Sequence, residues 1–176
     1  MAKFTINSLY NNTISFSSKR KYPDDNSSKT LEGIIPFVGV NTALFQFSMR
    51  GKTQKGKHRI NLLFTNLKIY PAISMPENPK DFIKIEEKNI FYYIEKPSVR
   101  SSPVVYRCTC KDWYFTWSYS AWKKKAIFGA KAKPYIRKTS PPPKGYPYKN
   151  PNEIVGICKH VIHIMVLMQK NNLLKY

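Results

Sequence analysis

The sequence predicts an α+β fold: a small, mainly antiparallel sheet with a C-terminal helix, the two joined by metal-ligand residues that bracket a long basic loop. Three observations carry this expectation. Residues 43–67 alternate as a β-hairpin does, residues from Ile157 onward repeat as an amphipathic helix does, and every cysteine falls in a short paired spacing, Cys108-x-Cys110 or Cys158-x-His160. At 176 residues the chain can bury a core without disulfides. Its 42% apolar and 14% aromatic content supplies the material for one.

Taken in order, the chain is read as one domain with three parts: an N-terminal arm and irregular segment (1–42), a β-rich part (43–107), and a ligand-bearing module (108–170) with a long insertion (111–157). Residues 1–16 mix Phe4, Ile6, Leu9, Tyr10, Ile14 and Phe16 with Asn and Ser. They predict a short strand or an arm rather than an amphipathic helix. Residues 17–30 lack aliphatic side chains and are rich in turn formers, which predicts a loop. Its Lys19-Arg20-Lys21 cluster is either a phosphate contact or a solvated charge triplet. Residues 31–40 are apolar but interrupted by Gly33, Pro36 and Gly39, which predicts an irregular extended segment.

The hairpin follows. Ala43, Phe45, Phe47 and Met49 alternate on one side of the first strand, and the pattern resumes at Ile60–Leu67 after a Gly- and Lys-rich connection. Arg50, Lys52, Lys55, Lys57 and Arg59 cluster at its tip, either to probe a nucleic-acid groove or to keep the tip soluble. Three prolines make 71–79 a connector. Residues 81–87 predict a short helical turn or a strand, and 89–95 a strand from their β-branched and aromatic content. A last strand, 104–108, runs directly into Cys108.

The two paired spacings require different local geometry. Successive strand residues point to opposite faces, so Cys108 and Cys110 project together while Arg107 and Thr109 face away. On a helix, residues two apart diverge by about 200°. Cys158 and His160 therefore converge only if Cys158 sits at the helix start. The turn-rich 150–156 and the steps Ile157, Val161, Ile164, Met168 put a helix start there, running to about Lys170. Three thiolates and one imidazole form a closed Cys3His set, the donor set of structural zinc. His163, on an adjacent helix face, is the alternative to His160. A catalytic ion needs an open position and a general base. Only Asp112 and Glu153 are acidic between the half-sites, so zinc in a structural role and no enzymatic activity are expected.

The order C-x-C, spacer, C-x-H, with a strand before the first pair and a Cys-Lys-His helix start, resembles the SWIM-type zinc finger. Matched by position, Cys108, Cys110, Cys158 and His160 are the ligands that the resemblance implies. In that family the module binds zinc and serves DNA or protein interaction. The chain departs from the family in its spacer, which at residues 111–157 is longer than usual. Cys-Thr-Cys-Lys-Asp-Trp-Tyr-Phe-Thr-Trp, then Lys-Pro-Tyr-Ile-Arg-Lys-Thr, then Asn-Pro before Cys-Lys-His, is further similar to SWIM-like proteins of tailed bacteriophages. That similarity implies a virion component near packaged DNA, in the head, the neck or the head-to-tail junction.

Charge bears on the partner. Thirty Lys and Arg against ten Asp and Glu give a net +20, which attracts polyanions: nucleic acid, DNA above all, or an acidic neighbouring subunit in an assembly. Codon bias in an AT-rich genome is the alternative source of the many Lys, Asn, Ile and Tyr residues. Lys123, Lys124, Lys125, Lys131, Lys133, Arg137, Lys138, Lys144 and Lys149 fall in a Pro-rich stretch with no acid. They are the candidate contacts, with counterion release as the source of affinity. Trp113 and Trp117, in an aromatic run, either stack on bases or pack beside the metal. Thiolate chemistry suits a reducing cytoplasm or a particle assembled there. No stretch reaches the roughly 18 apolar residues of a membrane span, so no membrane partner is expected.

Overall fold

The computed structural model describes residues 3–17, 28–50, 56–133, 150 and 152–176. Lys19–Lys21, the Lys52 and Lys55 of the hairpin tip, and the candidate contacts Arg137, Lys138, Lys144 and Lys149 lie outside the described residues.

Among the described residues, two antiparallel sheets and three α-helices make up the architecture. Strands β1 (Ser28–Phe37), β2 (Thr42–Arg50), β3 (Lys57–Phe64) and β7 (Val104–Cys108) form the larger sheet in the order β1-β2-β3-β7. Strands β4 (Ile69–Pro71), β5 (Phe82–Glu87) and β6 (Ile90–Glu95) form the smaller one in the order β4-β6-β5. The expected hairpin is β2–β3, paired from Ala43 opposite Phe64 to Arg50 opposite Lys57. Residues 82–87, whose composition suits either a turn or a strand, are extended.

The period-two pattern gives the larger sheet its apolar face. Ala43, Phe45, Phe47 and Met49 of β2, Ile60, Leu62 and Phe64 of β3, and Val104, Tyr106 and Cys108 of β7 are all buried. Cross-strand partners on this face include Phe47 with Ile60 and Ile60 with Cys108. Helix α3 (Lys159–Lys170) supplies Val161, Ile164 and Met168 to the same core. These are the positions that the helical spacing marks.

Two expectations are corrected. Residues 31–40 are not irregular throughout. Their first part belongs to β1, and Gly33 sits where the register shifts between Leu31 and Gly33, so the glycine accommodates a bulge in a real strand. The N-terminal residues are neither strand nor arm but helix α1 (Ile6–Phe16). Thr5 and Ser8 cap it reciprocally: each side chain accepts a hydrogen bond from the other's backbone N–H. Ile6, Leu9 and Thr13, at spacings of three and four, form its buried face. Asn and Ser lower helix propensity, but the buried face and the cap outweigh that weak preference.

Helix α1 docks on the stretch leading to the second half-site. The Asn12 side-chain amide donates to the Val155 carbonyl at 2.9 Å, and the Ile157 N–H donates to Thr13 Oγ1 at 2.7 Å. The Tyr106 hydroxyl donates to the Gly156 carbonyl. Residues 155–157 are thus tied to α1 on one side and β7 on the other, immediately before Cys158. No described helix is long and apolar enough to cross a membrane.

Candidate metal centre

Each ligand position follows from a local feature of the chain. Cys108 closes β7 opposite Ile60. Beyond it the ladder is extended by a two-point contact: the Thr109 N–H donates to Arg59 O at 3.1 Å and the Arg59 N–H donates to Thr109 Oγ1 at 3.0 Å. With Thr109 held outward, Cys108 and Cys110 both turn inward, as strand alternation requires. Cys158 is the N-cap of α3, extended at φ −78° and ψ 162°, and its carbonyl accepts from the N–H groups of Val161 and Ile162. That non-helical residue lets Cys158 and His160 converge.

The donor atoms of Cys108, Cys110, Cys158 and His160 all lie within 4.8 Å of one another. A tetrahedron with metal–sulfur bonds of about 2.3 Å has edges of about 3.8 Å. Shifts of about 1 Å or less close the present arrangement around an ion. All four residues are at most 6% exposed. Buried His160 Nδ1 has no hydrogen-bond partner among the described residues, a desolvated lone-pair position of the kind a cation satisfies. The Trp113 backbone N–H donates to Cys110 Sγ at 3.2 Å and steadies negative charge on that sulfur. The four side chains therefore can hold a metal ion.

The electrostatics agree. A hydrogen bond from the Cys108 thiol, then one from Cys158, drives the Cys110 pKa far down, and the same contact with Cys110 pushes Cys108 up. Burial pushes Cys158 well above the usual thiol range, with the neighbouring thiols adding to it. One thiolate shared among three sulfurs is what this pocket supports without a cation. A dication releases the other two protons by stabilising their thiolates.

His163 is buried on α3 but outside this four-donor group. Its pKa is pushed down to about 4, by burial first and then by Lys29, His160 and Lys159, so it stays neutral near pH 7. His58, not anticipated as a neighbour of the site, stacks at 4.5 Å between ring centroids on His160. Burial, then His160, lowers its pKa. The signal was available: His58 shares the parity of Ile60 and Leu62 and so points to the core face of β3.

The aromatic run after Cys110 is helical. Trp113–Trp117 form a π turn in which the Ser118 N–H reaches back to Trp113 O, and α2 (Ser118–Lys123) continues from it. Trp117 is fully buried against Phe16, with ring centroids 5.0 Å apart, and cannot stack on an external base, which corrects its place among the candidate contacts. Trp113 is buried against Tyr106 at 4.7 Å and is chiefly a packing residue beside the site. Asn150 secures the far end of the insertion: its amide donates to Thr116 O, Ser120 Oγ and Ile154 O and its oxygen accepts from the Ile154 N–H. That polar anchor is not visible in the sequence, because a single Asn before a proline carries no periodic signal.

Of the described basic candidates, Lys123 is paired with Glu153 at 2.7 Å, and that contact raises its pKa. Lys124, Lys125, Lys131 and Lys133 are exposed. Comparison of the chain with protein-family models, curated proteins and solved structures finds no match.

Proposed function

We propose that the chain is a non-enzymatic, SWIM-like zinc protein whose ion is structural and whose basic surface binds nucleic acid, DNA in the first instance, through phosphate contacts. The complete burial of a four-donor Cys3His set between a strand end and a helix start carries the structural part of this reading. Three soft thiolates with one imidazole favour zinc over harder cations. An ion there ties β7 to α3 and contributes folding free energy. The nucleic-acid part rests on the net +20 charge and on exposed lysines flanking the module.

Elemental analysis of the purified protein should return about one equivalent of zinc, and less than about half an equivalent refutes the site. Binding to random-sequence duplex DNA should weaken steeply with salt, the slope of log K against log[salt] being about −0.9 for each phosphate contacted. A salt-independent or undetectable interaction refutes the nucleic-acid reading.

A second reading, a structural assembly protein such as a phage virion component, is favoured by an apolar surface on the smaller sheet. Ile73 is 97% exposed and Met75 is exposed in the connector after β4, and Ile90 and Phe91 of β6 are exposed where the Ala72 N–H donates to Phe91 O, with Lys84 Nζ 4.7 Å from the Phe91 ring centroid. Such a patch suits contact with a neighbouring subunit. Salt-insensitive assembly with a protein partner, together with negligible DNA affinity, decides for it.

A further inference from the structure

Residues 126–128 return alongside β7: the Tyr106 N–H donates to Ala126 O and the Phe128 N–H donates to Tyr106 O, both at 3.1 Å. The chain then turns at Gly129, whose φ is +78°, and leads to Lys131 and Lys133. Between this segment and the π turn lies a groove of about 240 Å³. Arg107, Lys131 and Lys133 give it three cations, Trp113 and Tyr114 give it aromatic surface, and Ser118 adds a hydroxyl; no acidic residue lines it among the described residues.

Among the described residues, the cations are not neutralised from within. Arg107 donates through Nε to Phe128 O at 2.6 Å and through Nη2 to Ala130 O, which fixes the turn with neutral carbonyls and leaves the positive charge uncompensated. Lys131 and Lys133 are exposed and make no ion pair among the described residues. Tyr114, by contrast with buried Trp113 and Trp117, is 58% exposed, its ring steadied by an edge contact with Phe115 at 5.3 Å. An accessible ring beside clustered cations that no described acidic residue pairs is the combination that holds a base and its phosphate together.

We infer that this groove is a binding site for one nucleotide of single-stranded nucleic acid, with an unstacked base against Tyr114 and its phosphate held by Lys131, Lys133 and Arg107. The inference rests on the nucleic-acid reading above and narrows it, because a base within a duplex is already stacked and offers Tyr114 no face. It also moves the stacking role from Trp117, which the core has taken, to Tyr114, which is exposed.

The test uses the full zinc-loaded chain and two probes, an oligothymidylate of about ten nucleotides and a random-sequence duplex, each read by fluorescence anisotropy. Tyr114→Ala should weaken oligothymidylate binding about 10-fold while leaving duplex binding within about 2-fold, and Tyr114→Phe should restore it. The double variant Lys131→Gln with Lys133→Gln should flatten the oligothymidylate salt slope by about 0.7, the contribution of the one phosphate that is no longer neutralised. This second arm decides the matter if Tyr114→Ala fails to fold. Equal reductions for both probes, or none for either, overturn the groove assignment while the duplex measurement keeps the broader reading alive. Absence of binding to both probes by the unaltered protein overturns both. Competition by polyglutamate as effective as by oligothymidylate assigns the groove to an acidic protein surface and likewise overturns it.

Discussion

Gly156→Ala tests whether the approach to the second half-site is as closely built as its contacts imply. A Cβ at this position would lie 2.6 and 2.8 Å from Trp117 ring carbons and 2.7 Å from Thr13 Oγ1. Separations under 3.0 Å require movement, and neither neighbour moves freely. Trp117 is fully buried and packed on Phe16. Thr13 is buried, donating to Leu9 O while accepting from the Ile157 N–H. Overpacking a dense core costs about 1–3 kcal/mol. Displacing Thr13 leaves the buried Ile157 N–H without its acceptor, a further cost of about 1–3 kcal/mol. Together these come to about 2–6 kcal/mol, a large part of the roughly 5–15 kcal/mol typical of a folded domain. Because Ile157 precedes Cys158, the same displacement should also reduce zinc affinity. Urea unfolding at a fixed, buffered zinc concentration measures the first effect, and competition with a chromogenic chelator measures the second. A Gly156→Ala protein within about 0.5 kcal/mol of the unaltered one, with the same zinc affinity, refutes the packing argument.

Three further outcomes are expected. Thr13→Val keeps the shape and removes the acceptor, and should destabilise the fold by about 1–3 kcal/mol in the same urea assay. Asn150→Ala removes one side chain that serves Thr116, Ser120 and Ile154, with a similar cost of about 1–3 kcal/mol. Amide exchange should then accelerate at Ile154, whose N–H donates to the Asn150 side-chain oxygen. Zinc affinity should fall steeply on acidification: the pKa values of Cys108 and Cys158 are raised, so their protons bind above neutrality and compete with the ion at every lower pH. With two protons displaced per zinc, affinity should drop about 100-fold per pH unit below neutrality, as read by competition titration. A pH-independent affinity between about pH 6 and about pH 8 would refute the thiol assignment.

What the sequence made legible follows from periodicity. The β2–β3 hairpin, the entry of β7 into Cys108 and the start of α3 at Cys158 each rest on repeating side-chain parity, and each has the expected face buried. Helix α1 escaped because Asn, Ser and Thr occupy its solvent side and even its buried face, where Thr13 serves as a hydrogen-bonding residue. Its Thr5/Ser8 cap and its Ile6, Leu9, Thr13 spacing were present but weaker than the composition that argued against them. Gly156 was legible as a non-helical residue, yet its reason is not backbone freedom but the space taken by Trp117 and Thr13, which only the tertiary packing supplies. Asn150 was illegible for the same cause: its partners include Thr116 and Ser120, thirty or more residues earlier in the chain.

The contacts that periodicity does not reveal share one location, and that bears on how an ion would act at the candidate metal site. Thr13, Tyr106, Gly156 and Asn150 all act on the return path from the insertion to Cys158, whereas Cys108 and Cys110 are placed by a strand that is already in the sheet. The first half-site is therefore organised by the sheet and by the π turn that follows it, and the second by α1, by β7 and by the anchor at Asn150. An ion bridging them joins a preformed half to one assembled from distant segments. Removal of the metal should consequently loosen α3, residues 150–157 and the groove beside β7 before it disturbs the β2–β3 pairing. Hydrogen exchange with and without chelator resolves that order: protection lost first along β2 and β3 would mean that the sheet depends on the ion, contrary to the way its apolar face is built.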